Sequence, residues 1–364
     1  MGLRPGAVEG VGVNVLVTGS GGYIGSCLVP YLAGRGHRVT GLDTGFYDDG
    51  VLFEGFPPTP PARVQDIREV TAADLAGFDA VVHLAELSND PLGQHDPAVT
   101  YDINYRGSVG LARAARAAGV RRFVYTSSCS VYGAGGDEPR TETSPTDPQT
   151  AYARCKVLVE QALTALADDA FSPTMLRNAT AYGPSPRMRF DLVLNNLAGL
   201  AWTAREIRMV SDGTPWRPLV HVLDICQAVA VVLEAPAERV HGEVFNVGDD
   251  RENYRVREIA EIVAEVFPGC ALTFGSSGGD RRSYRVSFEK IATRLPGFRC
   301  RHTARSGAAE LRALFERVGL TRATFEFRAH TRLRQLEHLR ATGALDARFY
   351  WVSRATARPA VEAA

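Results

Sequence analysis

Tyr152 and Lys156 stand four residues apart in Ala151-Tyr-Ala-Arg-Cys-Lys156, ahead of the apolar run Val157-Leu-Val159. On a helix that spacing sets both side chains on one face, one turn apart. A free tyrosine, with a pKa of about 10, is a poor base at neutral pH. An ammonium beside it favours the phenolate and lowers that value, which makes the pair an acid/base for a hydroxyl proton. Lys156 and Lys290 are the only lysines in a chain whose positive charge is otherwise carried by arginine. Position 156 therefore calls for an ammonium rather than any cation. The same spacing also arises by chance on amphipathic helices, so its surroundings decide.

Upstream, the apolar strand Asn14-Val-Leu-Val-Thr18 runs into Gly19-Ser-Gly-Gly-Tyr-Ile-Gly25, with a helix expected from about Tyr23. Gly19, Gly22 and Gly25 have the G-x-x-G-x-x-G spacing that lets a pyrophosphate approach backbone N–H groups at a helix N-terminus. A second strand, Arg38-Val-Thr-Gly-Leu42, ends at Asp43. An acid about 20 residues beyond such glycines binds the ribose hydroxyls of an adenosine and repels a 2′-phosphate, favouring NAD over NADP. A proline-rich loop covers residues 44–61. Beyond it come Arg63-Val-Gln-Asp66-Ile67, a strand from Ala80 to Ala85, a helix over 97–118 carrying Asn104, and a strand from Arg122 to Thr126. This alternation is that of a doubly wound parallel sheet. The last strand opens into Ser127-Ser-Cys-Ser130-Val-Tyr-Gly133, where ligands gather at the carboxyl ends of strands.

Among 364 residues the formal net charge is zero, which points away from nucleic acid and anionic membranes. Six scattered cysteines (27, 129, 155, 226, 270, 300) form no Cys-x-x-Cys pair, against a zinc site or a disulfide framework. No apolar run approaches a membrane span, and residues 1–12 read as a ragged lead-in, so a cytoplasmic protein is expected.

Together these pieces resemble the extended branch of the short-chain dehydrogenase/reductase family, above all its nucleotide-sugar epimerases and dehydratases of the UDP-galactose 4-epimerase type. The resemblance spans about residues 13 to 295. It rests on Thr18 to Gly25, Asp43, Asp66-Ile67, His83-Leu84-Ala85, Asn104, Ser128, Val131-Tyr-Gly133 and Tyr152 to Lys156. It implies an α/β fold: a Rossmann-type doubly wound parallel sheet over 13–177, rejoined by elements of about 219–248. A smaller C-terminal α/β substrate lobe and helical tail would take 178–218 and 249–364. It implies NAD as cofactor, a nucleoside-diphosphate sugar as substrate, and a homodimer. By the same resemblance Tyr152 is the acid/base, Lys156 also holds the nicotinamide ribose, and Ser128 shares the substrate hydroxyl proton. The cofactor set adds Gly19, Gly22, Tyr23, Ile24, Gly25, Asp43, Asp66, Ile67, Leu84, Ala85 and Asn104. The substrate set is Ser128, Ser130, Asn178, Asn196, Leu197, Arg217, Asp280, Tyr284 and one of Arg281 and Arg282, with Arg217 able to grip phosphate bidentately.

Two departures narrow the chemistry. The 4,6-dehydratases carry an Asp-Glu pair before the Val-Tyr-Gly, and this chain has Cys129-Ser130 there. The decarboxylases usually place a glutamate where Ser130 stands. Small or hydroxyl residues suit a 4-epimerase, so inversion at C4 of a nucleoside-diphosphate hexose or uronic acid is expected. Dehydratase, decarboxylase, net oxidoreductase and non-catalytic nucleotide sensor are the alternatives. Cys129 lacks a neighbouring base and reads as a packing residue. Glu86 replaces the usual small residue; an acid there is repelled by a pyrophosphate, and a substrate hydroxyl or amine is the partner considered for it. Leucines 333, 336 and 339 mark a packed tail helix that caps the substrate lobe or joins a dimer contact.

Overall fold

The computed structural model describes residues 12–88, 96–276 and 282–353. Its strands are β1 (Asn14–Thr18), β2 (Arg38–Asp43), β3 (Ala62–Val64), β4 (Ala80–His83), β5 (Arg122–Ser128), β6 (Ala134–Arg140) and β7 (Ser172–Asn178). The remainder are β8 (Thr180–Tyr182), β9 (Glu206–Arg208), β10 (Trp216–His221), β11 (Val244–Val247), β12 (Asn253–Arg255), β13 (Ala271–Thr273) and β14 (Ser283–Val286). Seven of them form one sheet in the order β11-β7-β5-β4-β1-β2-β3, every pairing parallel. The chain lays down β1 to β3 outward, then returns to the other side of β1 as β4. That reversal opens a crevice at the carboxyl ends of β1 and β4, where ligands bind in such sheets.

Alternation along the strands fills two cores. Val15 and Val17 face one way with Val82 and Val124. Leu16, Val81, Phe123 and Tyr125 face the other, as a period of two requires. Helices Gly25–Gly34 and Val222–Glu234 cover the first face through Leu28, Leu32, Ile225 and Val229. The Tyr152 helix, Ala151–Leu166, covers the second with Val159 and Leu163. The tail also packs on this second face, through Leu336, Leu339, Leu345 and Phe349. Small sheets, β12-β10-β8, β13-β9 and β14-β6, complete the fold, and β8, β10 and β14 reach the crevice.

The expected helix over 97–118 is interrupted. Pro97–Thr100 is α-helical, Tyr101–Gly107 widens into a π-helix, and Ser108–Ala117 is α-helical again. Such widening changes the helical register at functional sites, and apolar periodicity does not reveal it.

A buried ion pair fixes the Tyr152 helix to the sheet. Glu160 receives the Arg177 guanidinium of β7 (Nη2–Oε2 2.6 Å) and the Ser127 hydroxyl of β5 (2.5 Å). Removing one partner strands the other charge away from water. Arg177→Met is expected to lower unfolding free energy by about 3–5 kcal/mol, measured by urea denaturation; a loss below about 1 kcal/mol, the range of an exposed pair, would contradict this.

Candidate active site

The glycine turn is shaped by contacts that exclude a Cβ. Gly19 has φ +73° and donates its N–H to Leu42 O at 2.7 Å. A Cβ on Gly25 would lie 2.1 Å from Gly19 O, so the helix can begin this close to the strand end only with glycine there. The helix runs from Gly25, its first turn already hydrogen-bonded from Gly22 O and Ile24 O near the expected start, and Tyr23 is turned inward. Its hydroxyl donates to Gly183 O at 2.7 Å and accepts from Asn195 Nδ2 at 3.2 Å. Asp43 is oriented by two backbone donors, Gly21 N–H at 3.0 Å and Gly45 N–H at 2.8 Å. The turn and this carboxylate fit the diphosphate and adenosine ribose of a dinucleotide. Asp66 also lies at this end, but its carboxylate is gripped by Arg68 (2.7 Å) and caps the next turn through Arg68 N–H (2.8 Å).

Two polar residues hold the strand ends of the crevice. His83 contacts Thr18 Oγ1 and Ser108 Oγ, both at 2.7 Å. Burial, aided by Lys156, pushes its pKa down to about 3, so it is a neutral crosslink near pH 7. Asn104, on the π-helical stretch, accepts from Leu87 N–H (2.8 Å) and donates to Leu87 O (3.1 Å). It clamps the loop after β4 rather than facing the cavity.

Lys156 is 3% exposed. Its ammonium lies 2.5 Å from Thr126 O, 2.6 Å from Glu86 Oε2 and 5.4 Å from the centre of the Tyr152 ring. Glu86, buried as deeply as the lysine, takes the Tyr125 hydroxyl at 2.6 Å on its other oxygen. Burial pushes the Glu86 carboxyl up while the ammonium pulls it down. The carboxylate thus engages Lys156 and Tyr125 at the cavity wall. Its position was conspicuous in the sequence; its partners were not, because β4, β5 and the Tyr152 helix meet only in the fold.

A cavity of about 580 Å³ runs past these groups, within the range of a small-molecule site. It is lined by Gly19, Gly22, Tyr23, Ile24, Gly25, Asp43, Asp66, Ile67, Leu84, Ala85, Ser128, Ser130, Tyr152, Lys156, Asn178, Arg217, Arg282 and Tyr284. Tyr47, Glu86, Arg189, Asp191 and Arg332, absent from the expected set, line it too. Asn196 and Leu197 do not. The Asn196 amide donates to Phe190 O at 2.8 Å and Leu197 is in the core, because the helix Val193–Thr203 turns its neighbour Asn195 inward onto Tyr23 and Gly183. Asp280 and Arg281 lie outside the described residues. At the far end Arg217 stands 5.6 Å from the Tyr284 ring and is held by Trp216 O at 2.7 Å. Among the described residues Ser130 Oγ and Asn178 Oδ1 have no hydrogen-bond partner and are buried at the cavity wall, which marks them as open to a polar ligand. Cys129 instead donates its thiol to Arg177 O and is pushed up by burial, the state of an unreactive packing residue.

One cluster away from the cavity, His221, His302 and Glu310, brings ligand-type atoms within 4.8 Å. The imidazoles stack with centres 3.9 Å apart at 22°, so their in-plane lone pairs run side by side instead of converging on an ion. His221 Nδ1 also accepts from Leu223 N–H at 3.2 Å, which leaves the proton on Nε2, facing Glu310 at 3.4 Å. The geometry is that of stacked imidazoles beside two carboxylates, Glu310 at 3.4 Å and Asp224 at 3.1 Å.

A glycine turn, an acid at the second strand end and a Tyr/Lys pair around one crevice define a dinucleotide enzyme class, and the comparisons agree. The model of the NAD dependent epimerase/dehydratase family matches residues 15–248. The chain is 31% identical over 313 residues to UDP-glucose 4-epimerase from Corynebacterium glutamicum, covering 80% of this chain and 92% of that one. It is 27% identical over 285 residues to UDP-N-acetyl-alpha-D-glucosaminuronate decarboxylase from Bacillus cytotoxicus, covering 76% and 84%. The solved structure of MoeE5 with UDP-glucuronic acid and NAD is 29% identical, with TM-score 0.72 over 84% of this chain and 99% of that one. The chain belongs to the NAD dependent epimerase/dehydratase family, and its cofactor is NAD. Among the described residues no helix is long and apolar enough to cross a membrane.

The His83 crosslink has a consequence for stability. Its folded pKa of about 3 lies below the ordinary 6.5, so between these values the unfolded chain binds a proton that the folded one does not. Its stabilisation is full above pH 6.5 and is lost as pH falls towards 3, by at most roughly 1.4 kcal/mol per pH unit. In denaturation series from pH 7 to 4, wild type should lose more stability than His83→Asn; parallel curves would contradict a neutral buried imidazole.

Proposed function

We propose that this protein is a nucleotide-sugar epimerase that inverts C4 of a nucleoside-diphosphate hexose or uronic acid by transient oxidation. The observation that carries the reading is that one cavity joins Tyr152 and Lys156, the hydroxyls at the end of β5, and the arginines 217 and 282. Bound NAD supplies a hydride acceptor that becomes the donor for the return step. Tyr152 takes the proton of the C4 hydroxyl and later gives it back, with Ser128 hydrogen-bonded to the same oxygen. Arg217 holds the diphosphate, so the oxidised sugar turns without leaving and takes the hydride on its other face. Ser130 at the cavity wall and the thiol-bonded Cys129 supply no acid pair for elimination, which favours inversion over dehydration.

The Lys156–Glu86 pair tunes this site. A carboxylate 2.6 Å from the ammonium offsets much of the field that favours a phenolate. Glu86→Gln removes that negative charge, so the rising limb of the pH–rate profile should move to lower pH, by about one unit; an unmoved limb, or one displaced upward, would contradict the coupling.

Purified protein incubated with UDP-glucose, UDP-glucuronic acid and related sugars, without added NAD, should yield the C4 stereoisomer of at least one by NMR. Tyr152→Phe should slow that conversion about 10²–10⁴-fold while sugar binding persists. Stoichiometric NADH release, or loss of water or carbon dioxide, would overturn the epimerase reading.

A further inference from the structure

The C-terminal segment carries a group that the catalytic reading leaves unused. Arg332 opens the tail helix Arg332–Ala341, is 3% exposed, and lines the cavity. Among the described residues its guanidinium donates to main-chain oxygens alone, Ala329 O at 3.3 Å and Arg187 O at 3.5 Å, and lies 4.0 Å from the centre of the Tyr47 ring. Neighbouring arginines have carboxylates: Arg187 pairs with Asp48 at 3.0 Å and Arg189 with Asp191 at 2.9 Å. Among the described residues Arg332 has no ion pair, and burial pushes its pKa down to about 10. Asp191 and Asp43 act on it only from beyond ion-pair distance, and a buried cation so weakly compensated is costly to keep. One that borders a cavity is explained by an anion that enters it.

The surroundings identify which anion. Tail residues meet the chain just beyond Asp43: Gln335 Nε2 donates to Phe46 O at 3.0 Å, Trp351 Nε1 to Thr44 O at 2.7 Å, and Arg328 pairs with Asp49. The tail also closes on the Asp66 turn, where Arg68 donates to Arg348 O at 2.8 Å and lies 3.7 Å from the Tyr350 ring centre. These contacts set the tail beside Asp43 and Asp66, the acids expected to meet the adenosine half of the cofactor, in the cavity that Arg217 and Arg282 also line. The nearby Asp43 carboxylate opposes a 2′-phosphate.

We propose that Arg332 binds the diphosphate of NAD, so that residues 328–351, outside the segment that matches the family, clamp the cofactor in the crevice. This role concerns retention of NAD and is independent of which sugar is turned over. It is tested on full-length protein stripped of cofactor, with no sugar present. NAD should bind Arg332→Gln at least about tenfold more weakly than wild type, the range of a lost charge-assisted hydrogen bond. Arg332→Lys should stay within about threefold. ADP should show the same loss and adenosine none. Stripped Arg332→Gln should melt at or above the wild-type temperature, because an unpaired buried charge has been removed. A lower melting temperature with NAD affinity unchanged in Arg332→Lys and Arg332→Gln alike makes the residue structural and overturns the proposal. So does a weakened nucleotide-sugar affinity with NAD binding intact, or wild-type protein that prefers NADP, which would put a 2′-phosphate at this arginine. Failure to obtain folded Arg332→Gln overturns it likewise.

Discussion

A single buried ammonium organises the site. Lys156 is withdrawn from water, and an isolated charge there would be prohibitively unfavourable. Thr126 O of β5 and Glu86 in the loop after β4 hold it, and Tyr125, also of β5, holds Glu86. Because the lysine is fixed, the Tyr152 side chain one turn earlier is fixed relative to the ends of β4 and β5. The Glu160–Arg177 pair lower on the same helix supplies the second anchor. Together they convert a four-residue spacing into a fixed arrangement of phenol and ammonium, as the proposed proton transfer requires.

The rest of the crevice follows from how the sheet is wound. The reversal at β1 and β4 leaves space only at their carboxyl ends. Gly19 and Gly25 let the chain leave β1 without filling it. His83 and Asn104 then pin the β4 end from below, through Ser108 and Leu87. The π-helical stretch puts Asn104 where its amide meets both polar atoms of the Leu87 backbone.

Much of this was legible in the sequence, because the glycine turn, Asp43 and the Tyr152–Lys156 pair are local patterns whose geometry is set by a few bonds. The parallel sheet was legible for the same reason, in alternating strand and helix. What escaped depends on contacts between distant segments. Glu86 announced itself as an odd residue, yet its partners lie 39 and 70 positions away. Arg332 was read as part of a packed tail helix, since its apolar neighbours Leu336 and Leu339 are indeed core, and nothing in the spacing shows it facing the cofactor crevice. Asn196 was expected at the substrate, yet the rotation of its helix turns it onto Phe190 O, which a motif cannot fix.

The central claim, that the held Tyr152–Lys156 site serves an oxidation reversed within the same cleft, is tested most directly by isotope tracing. A substrate nucleotide sugar carrying deuterium at C4 is converted in ordinary water without added cofactor, and the product is examined by NMR and mass spectrometry. Retention of the deuterium at C4 of the inverted sugar is the predicted result. Replacement of the label by solvent hydrogen, or its appearance in released NADH, would contradict the account.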